Sequence, residues 1–516
     1  MRTSGILLPI SSLPSPGGIG TMGAAAREFV DFLHAAGQHY WQILPVCPTS
    51  YGDSPYQSFS TFAGNPYFID LDQLAEAGLL TPEEYRTIDW ESAPDCINYG
   101  VLYEKRYPVL RRACARLLAN PPEDYEQFLA DNAFWLPDYA LFMALKDAHG
   151  GKSWLEWERP LRLRKPADLD KARRYHKASI DFWQAVQYLF YTQWKKLKAY
   201  ANARGVEIIG DLPIYVAADS VDVWSSPQEF QLDENLLPIE VAGCPPDGFS
   251  ATGQLWGNPL FDWDAMAATG YRWWVRRIRH LCSIYDLLRI DHFRGFAGYY
   301  AIPYGDKTAE HGRWRTGPGY SLFAAVKKEL GSPRIIAEDL GFLTDDVREL
   351  LAKCEYPGMK VLEFAFDSRD GGDYRPHSYP TNCVAYTGTH DNEPVQGWFA
   401  TADKTDTDRA IEYLNLTKEE GMNWGMMRGI WSSVADLAVV QAQDVLGLGH
   451  EARMNTPATL GGNWCWRALP GAFTPELAQK LHDAMELYGR LPEEPAAEPD
   501  ETEKSEDAEK AAEPKT

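Results

Sequence analysis

Eight short, near-continuous runs of apolar residues recur along the chain, at residues 4–8, 40–45, 206–211, 285–291, 334–338, 360–366, 383–389 and 435–441. Apolarity on consecutive positions, rather than on alternate ones, is the pattern of parallel strands covered on both faces. The eighth run fits a helix as well as a strand. Between the runs lie amphipathic segments long enough for crossover helices, such as 24–36, 273–282 and 345–354. Strands alternating with helices predict an α/β fold, and eight of them point to a (β/α)8 TIM barrel rather than an open sheet.

The spacing is uneven. Roughly 160 residues separate the second run from the third, against a few tens elsewhere, within the size that barrels with insertions reach. Residues 71–76, 124–129 and 183–198 inside this stretch read as helices. The expected organisation is therefore a barrel begun by residues 1–46, a helix-rich insertion over 47–205, and the rest of the barrel over 206–490. A second insertion, 215–263, is rich in Pro, Gly and aromatics. Barrels carry function in the loops at the C-terminal ends of their strands, so both insertions are expected to shape that face.

Composition narrows the class. Of 516 residues, 45% are hydrophobic, which fits a globular protein with a large core, and the net charge is −23. That charge argues against nucleic acid or an anionic membrane as partner. Residues 493–516 hold ten acids against three lysines, with no aromatic. The segment 491–516 is thus expected to be a disordered acidic tail. The eight cysteines are scattered without a CxxC pair, which argues against a zinc site and a disulfide framework. Neither a signal peptide nor an apolar run long enough for a membrane span is visible, so the cytoplasm is the expected location. The chain also carries 18 Trp and 27 Tyr. Such rings stack on the apolar faces of sugars, although most Trp in any protein are core.

Candidate chemistry gathers at the ends of the runs. The third closes on Asp211, the fourth on Arg289-Ile290-Asp291-His292, the fifth on Glu338-Asp339, and the seventh leads into His390-Asp391-Asn392. In a barrel these positions converge on one pocket. Arg289 and Asp291, two apart on a strand, face the same side, so a guanidinium is expected beside that carboxylate to keep it ionised. Glu338 and Asp339 face opposite sides, so only one can reach the pocket. Paired carboxylates serve glycoside chemistry: one attacks or stabilises the anomeric centre, the other protonates the leaving oxygen. His292, His390 and Asn392 are suited to sugar hydroxyls. No HxH or HExxH spacing supports a metal, and none is expected. Gly18-Ile19-Gly20-Thr21-Met22-Gly23 matches GxGxxG, but 11–16, with two prolines, separates it from the strand and no acid ends the second run. A dinucleotide site is not expected.

An ordered set of motifs sharpens this: Tyr51-Gly52-Asp53-Ser54-Pro55-Tyr56-Gln57-Ser58, Pro245-Pro246-Asp247, Gly253-Gln254-Leu255-Trp256-Gly257-Asn258-Pro259, the three acid motifs, Arg453-Met454-Asn455 and Gly462-Asn463-Trp464. With them, from about Ser4 to Arg467, the chain resembles the amylomaltases, the 4-α-glucanotransferases of glycoside hydrolase family 77. The resemblance implies Asp291 as nucleophile, Glu338 as acid/base and Asp391 as a third acid that holds sugar hydroxyls. It also implies sugar contacts from Ser54, Tyr56, Asp211, Asp247, Gln254, Trp256, Arg289, His292, His390 and Asn463. It further implies α-1,4-glucans as donor and acceptor, no cofactor, and no C-terminal β-sandwich. The acidic tail departs from the family's compact pattern. A hydrolase on the same constellation, or a non-catalytic glucan-binding protein, are the alternative functions.

Overall fold

The computed structural model describes residues 2–50, 52–91, 93–246, 250–341, 343–368, 374–459 and 461–492. The expectations for Asp247 and for the acidic tail from 493 on lie outside these residues.

Among the described residues there are twelve strands: β1 (Thr3–Leu7), β2 (Tyr40–Gln42), β3 (Glu207–Leu212), β4 (Glu240–Cys244), β5 (Gln254–Pro259), β6 (Leu287–Ile290), β7 (Gly298–Pro303), β8 (Arg313–Thr316), β9 (Ile335–Ala337), β10 (Gly358–Val361), β11 (Cys383–Tyr386) and β12 (Leu437–Gln441). Eight of them form one parallel sheet in the order β10-β11-β12-β1-β2-β3-β6-β9. Its ends meet where the Ala337 amide donates to the Pro357 carbonyl at 2.9 Å. The result is a nearly closed TIM barrel with helices around it, as the apolar runs predict.

Strand alternation explains those runs. Leu7, Ile209, Ile336, Val361, Val384, Leu437 and Val439 fill the barrel interior. Their neighbours Ile6, Ile208, Ala385, Ala438 and Val440 pack outward against the helical layer. Both faces are dry, so nearly every position is apolar. The eighth run, ambiguous by pattern, is a strand because β12 is paired on both sides, with β1 and β11.

Only the first two residues of the sixth run, Lys360 and Val361, are strand. After Val361 the chain turns into a 3-10 helix, Leu362–Phe366, with Leu362, Ala365 and Phe366 buried. The apolar run outlasts the strand because this turn is buried too. The third run is displaced by one residue, so Asp211 lies within β3 rather than at its end.

Between β2 and β3 the chain forms helices including Tyr99–Ala119, Leu136–Ala148 and Lys177–Asn202. The first two are absent from the sequence reading, the first carrying an internal proline, Pro108. Also unforeseen is a second, antiparallel sheet, β5-β4-β7-β8, contributed by the loops after β3 and β6. The GxGxxG glycines have a packing explanation. A Cβ on Gly20 would lie 1.8 Å from the Ile10 carbonyl oxygen, and one on Gly23 would lie 2.0 Å from the Asp70 carboxylate.

Candidate active site

Four strand ends on one face of the barrel supply the candidate groups. Asp211 of β3 pairs in register with Arg289 of β6. The Arg289 guanidinium donates to Asp211 Oδ2 at 2.6 Å and to Asp291 Oδ1 at 3.0 Å. The two-residue spacing of Arg289 and Asp291 thus produces the expected contact. Arg289 and Asp211 are sealed, with side chains 4% and 0% exposed. The Tyr56 hydroxyl donates to the same Asp211 oxygen at 2.7 Å. Asp211 therefore stands behind the pocket, holding Arg289 and Tyr56.

Glu338 follows β9 directly. Its two oxygens accept from the backbone amides of His292 and Leu340, each at 2.7 Å. The main chain returns the contact, since the Phe293 amide donates to the Glu338 carbonyl at 3.0 Å and the Glu338 amide donates to the Ile290 carbonyl at 2.9 Å. His292 is in the left-handed region at φ 51°, an uncommon conformation for a non-glycine residue. That conformation aims its N–H at the glutamate. Asp339 turns away, accepting from the Met359 amide at 2.6 Å, so Glu338 is the pocket-facing acid of the two.

Asp391 lies past the end of β11. Asn455 Nδ2 donates to its Oδ1 at 2.6 Å, and His390 Nε2 lies 3.5 Å from its Oδ2. Asn392 folds back instead, its side-chain oxygen accepting from the Thr389 amide and hydroxyl, both at 2.9 Å. His390 is buried, stacked on Tyr56 with ring centroids 5.1 Å apart, and Trp464 tilts against both rings.

The remaining candidates line the rim. Trp256 of β5 meets His292 edge-to-face at 4.9 Å, and its indole N–H donates to the Gln254 side chain at 3.1 Å. Ser54 Oγ accepts from the Tyr56 amide at 3.2 Å, shaping the turn that presents the tyrosine. Asn463 accepts from the Thr456 amide at 3.0 Å and donates to Thr459, closing the loop that carries Trp464.

Burial dominates the electrostatics. Recessed among protein atoms, Asp291 is pushed up to about 8; Arg289 opposes this but is outweighed by burial, so it does not by itself keep the acid ionised as its spacing suggests, and Asp211, Glu338 and Asp391 add to the rise. Glu338 is raised too, first by burial rather than by crowding carboxylates, with Arg289 and its two backbone donors opposing. Burial lowers His292 to about 3 and lowers His390, so both imidazoles are neutral at pH 7. Adjacent acids of this kind titrate as a pair.

Sequence reasoning missed the groups that hold the site: Asn455, Arg453 and Glu393 behind Asp391, and Gln57, whose side chain donates to Asn258 of β5 at 3.1 Å. Arg453, Asn455, Gln57 and Asn258 fall inside the noted motifs, but no local spacing gives them a role. Among the described residues, no cluster of three or more His, Cys, Asp or Glu could hold a metal, and no helix is long and apolar enough to cross a membrane.

A parallel barrel whose rim presents three carboxylates among aromatic and imidazole side chains defines a carbohydrate-active enzyme of the (β/α)8 class. Comparison with known proteins gives the family. A family model described as 4-alpha-glucanotransferase matches residues 8–471. The 4-alpha-glucanotransferase of Clostridium butyricum is 51% identical over 93% of this chain and 99% of its own length. That of Thermus thermophilus is 46% identical over 95% and 99%. The amylomaltase from Streptococcus agalactiae, solved in complex with acarbose, superposes with a TM-score of 0.93 at 41% identity, covering 95% of this chain and all of the other. The chain belongs to the 4-alpha-glucanotransferase family and carries that activity.

Proposed function

We propose that the enzyme passes a segment of an α-1,4-glucan to the 4-hydroxyl of an acceptor glucan or glucose by a retaining double displacement. Glu338, protonated, gives its proton to the glucosidic oxygen while Asp291 attacks the anomeric carbon. The C–O bond to the reducing-end fragment breaks and an ester to Asp291 forms. The acceptor hydroxyl then enters, Glu338 takes its proton, and the new glucosidic bond replaces the ester. Asp391 holds hydroxyls of the sugar being distorted.

The observation that carries this reading is the Arg289 bridge. The Arg289 guanidinium hydrogen-bonds Asp291 directly, whereas it acts on Glu338 only from a distance, beside two backbone amide donors. When the pair holds one proton, the charge is favoured on Asp291 and the proton on Glu338. Neutral His292 and His390 can accept from or donate to sugar hydroxyls. Tyr56, Gln254, Trp256 and Asn463 shape the donor and acceptor sites, with Ser54, Asp211 and Arg289 behind them; Asp247 is assigned there by resemblance alone. Trp256 against His292 excludes water beside the ester, which favours a sugar acceptor. Maltooligosaccharides serve as donors and acceptors, without a cofactor, in the cytoplasm.

Incubation with maltotriose tests the proposal. Transfer yields glucose and a ladder of longer oligomers at constant reducing ends. A rise in reducing ends without longer products would instead establish a hydrolase.

A further inference from the structure

The motif Arg453-Met454-Asn455 has no part in the chemistry above, yet it is tied to Asp391 at two points, one on its backbone and one on its carboxylate. Arg453 Nη2 donates to the Asp391 carbonyl at 2.8 Å, and Nη1 donates to Glu393 Oε1 at 2.5 Å. Nε donates to the Asn455 carbonyl at 2.8 Å, and Asn455 in turn donates to the Asp391 carboxylate at 2.6 Å. One planar cation thus uses three donors in three directions to join residues 391–393 to residue 455.

We infer that Arg453 is a positioning residue for the reaction: braced on Glu393, it fixes both the backbone of Asp391 and the Asn455 amide that aims the Asp391 carboxylate. The inference rests on Asp391 acting on the sugar, as proposed above.

Three features support more than a generic ion pair. Both partners are largely enclosed, with side chains 19% and 11% exposed, so the contact is shielded from solvent screening. Glu393 is fixed independently: His450 Nδ1 lies 2.9 and 3.1 Å from its oxygens, and Gln441 Nε2 donates to its carbonyl at 3.2 Å. The brace therefore reaches the end of β12. Finally, the same segment supports the aromatic and imidazole groups beside Asp391. The Asn455 amide donates to the His390 carbonyl at 3.1 Å, and the Trp464 amide donates to the Met454 carbonyl at 2.7 Å. Lysine, a single ammonium on a flexible stem, cannot span three acceptors in these directions.

The test compares Arg453→Lys, Glu393→Gln, Asp391→Asn and the Arg453→Lys/Asp391→Asn double variant in maltotriose disproportionation, reading kcat and KM separately. Arg453→Lys is expected to lower kcat about 10- to 100-fold with KM within about threefold, since misplacement by an ångström costs on that scale. Glu393→Gln, which leaves Arg453 its two carbonyl acceptors, lowers kcat by less in the same pattern. The double variant should be about as slow as Asp391→Asn alone, because Arg453 acts through that acid. Methylguanidinium should restore part of the kcat of Arg453→Ala. Arg453→Lys with parental kcat, or losses that multiply in the double variant, would overturn the clamp while leaving a crippled Asp391→Asn and the three-acid mechanism intact. A normally active Asp391→Asn would overturn the mechanism and the clamp together.

Discussion

Asp291 and Glu338 on one side of the pocket, and Asp391 on the other, are held by different means. Glu338 is seated by backbone amides of its own and the neighbouring strand loops, and Asp291 by a strand-borne, sealed guanidinium. Asp391 lies beyond its strand, its side chain 45% exposed, and is held by side chains more than sixty residues further along. The first arrangement follows from barrel register. The second exists only while a distant loop is in place, so it is the part of the site that substitutions can loosen without touching a strand.

The sharpest way to probe the strand-held pair is Asp291→Asn, expected to cut turnover about 10,000-fold or more, the scale for loss of a nucleophile. Glucan binding, followed by intrinsic Trp fluorescence, should persist. Glu338→Gln should cost about 100- to 10,000-fold and remove one limb of the pH profile. Both acids are raised in the free enzyme, so the parental kcat/KM should fall on the acid side above the ordinary carboxylate range and on the basic side as the pair loses its second proton. Limbs that stay unchanged in Glu338→Gln would contradict the assignment.

Arg289→Met should strike stability as well as rate. It leaves Asp211 sealed without its cation, at a cost of about 3–5 kcal/mol in chemical denaturation. On the loop-held side, Asn455→Ala removes only one donor to a half-exposed carboxylate, and a kcat loss of about tenfold is expected. An equal effect from Asn455→Ala and Arg289→Met would erase the contrast between the two sides.

The smallest effect is a pH-dependent one. Burial raises both Asp291, to about 8, and Glu338 above their ordinary values, so the folded pair binds protons that the unfolded chain has released. Stability is then lost as pH rises from about 4 to 8. Asp291→Asn should melt near the parent at pH 4 and above it at pH 8, by about 1–2 kcal/mol. A parent whose stability does not fall between pH 4 and pH 8 would show that the folded pair takes up no extra proton.

Much of the barrel and the pocket was legible in the chain because both obey local rules. Strands apolar on each face announce themselves by continuous runs, and a two-residue spacing placed Arg289 beside Asp291 with no tertiary knowledge. The sixth run was misread beyond Val361 because a buried 3-10 turn and a buried strand present the same apolar string. The small sheet of β4, β5, β7 and β8 was invisible because its central pair, β4 and β7, joins across the segment containing β6, and its edge strand β8 is exposed throughout.

What the sequence determined by itself, then, is the eight strands of the barrel, the acids at the strand ends, and the Arg289–Asp291 contact. Each depends on periodicity within one strand. The tertiary structure alone decided that burial, more than neighbouring charge, raises both acids, that Asp211 is sealed behind the pocket, and that Asp391 hangs from Arg453 and Asn455. Those outcomes depend on solvent exclusion and on contacts between residues distant in the chain, and no local spacing encodes either.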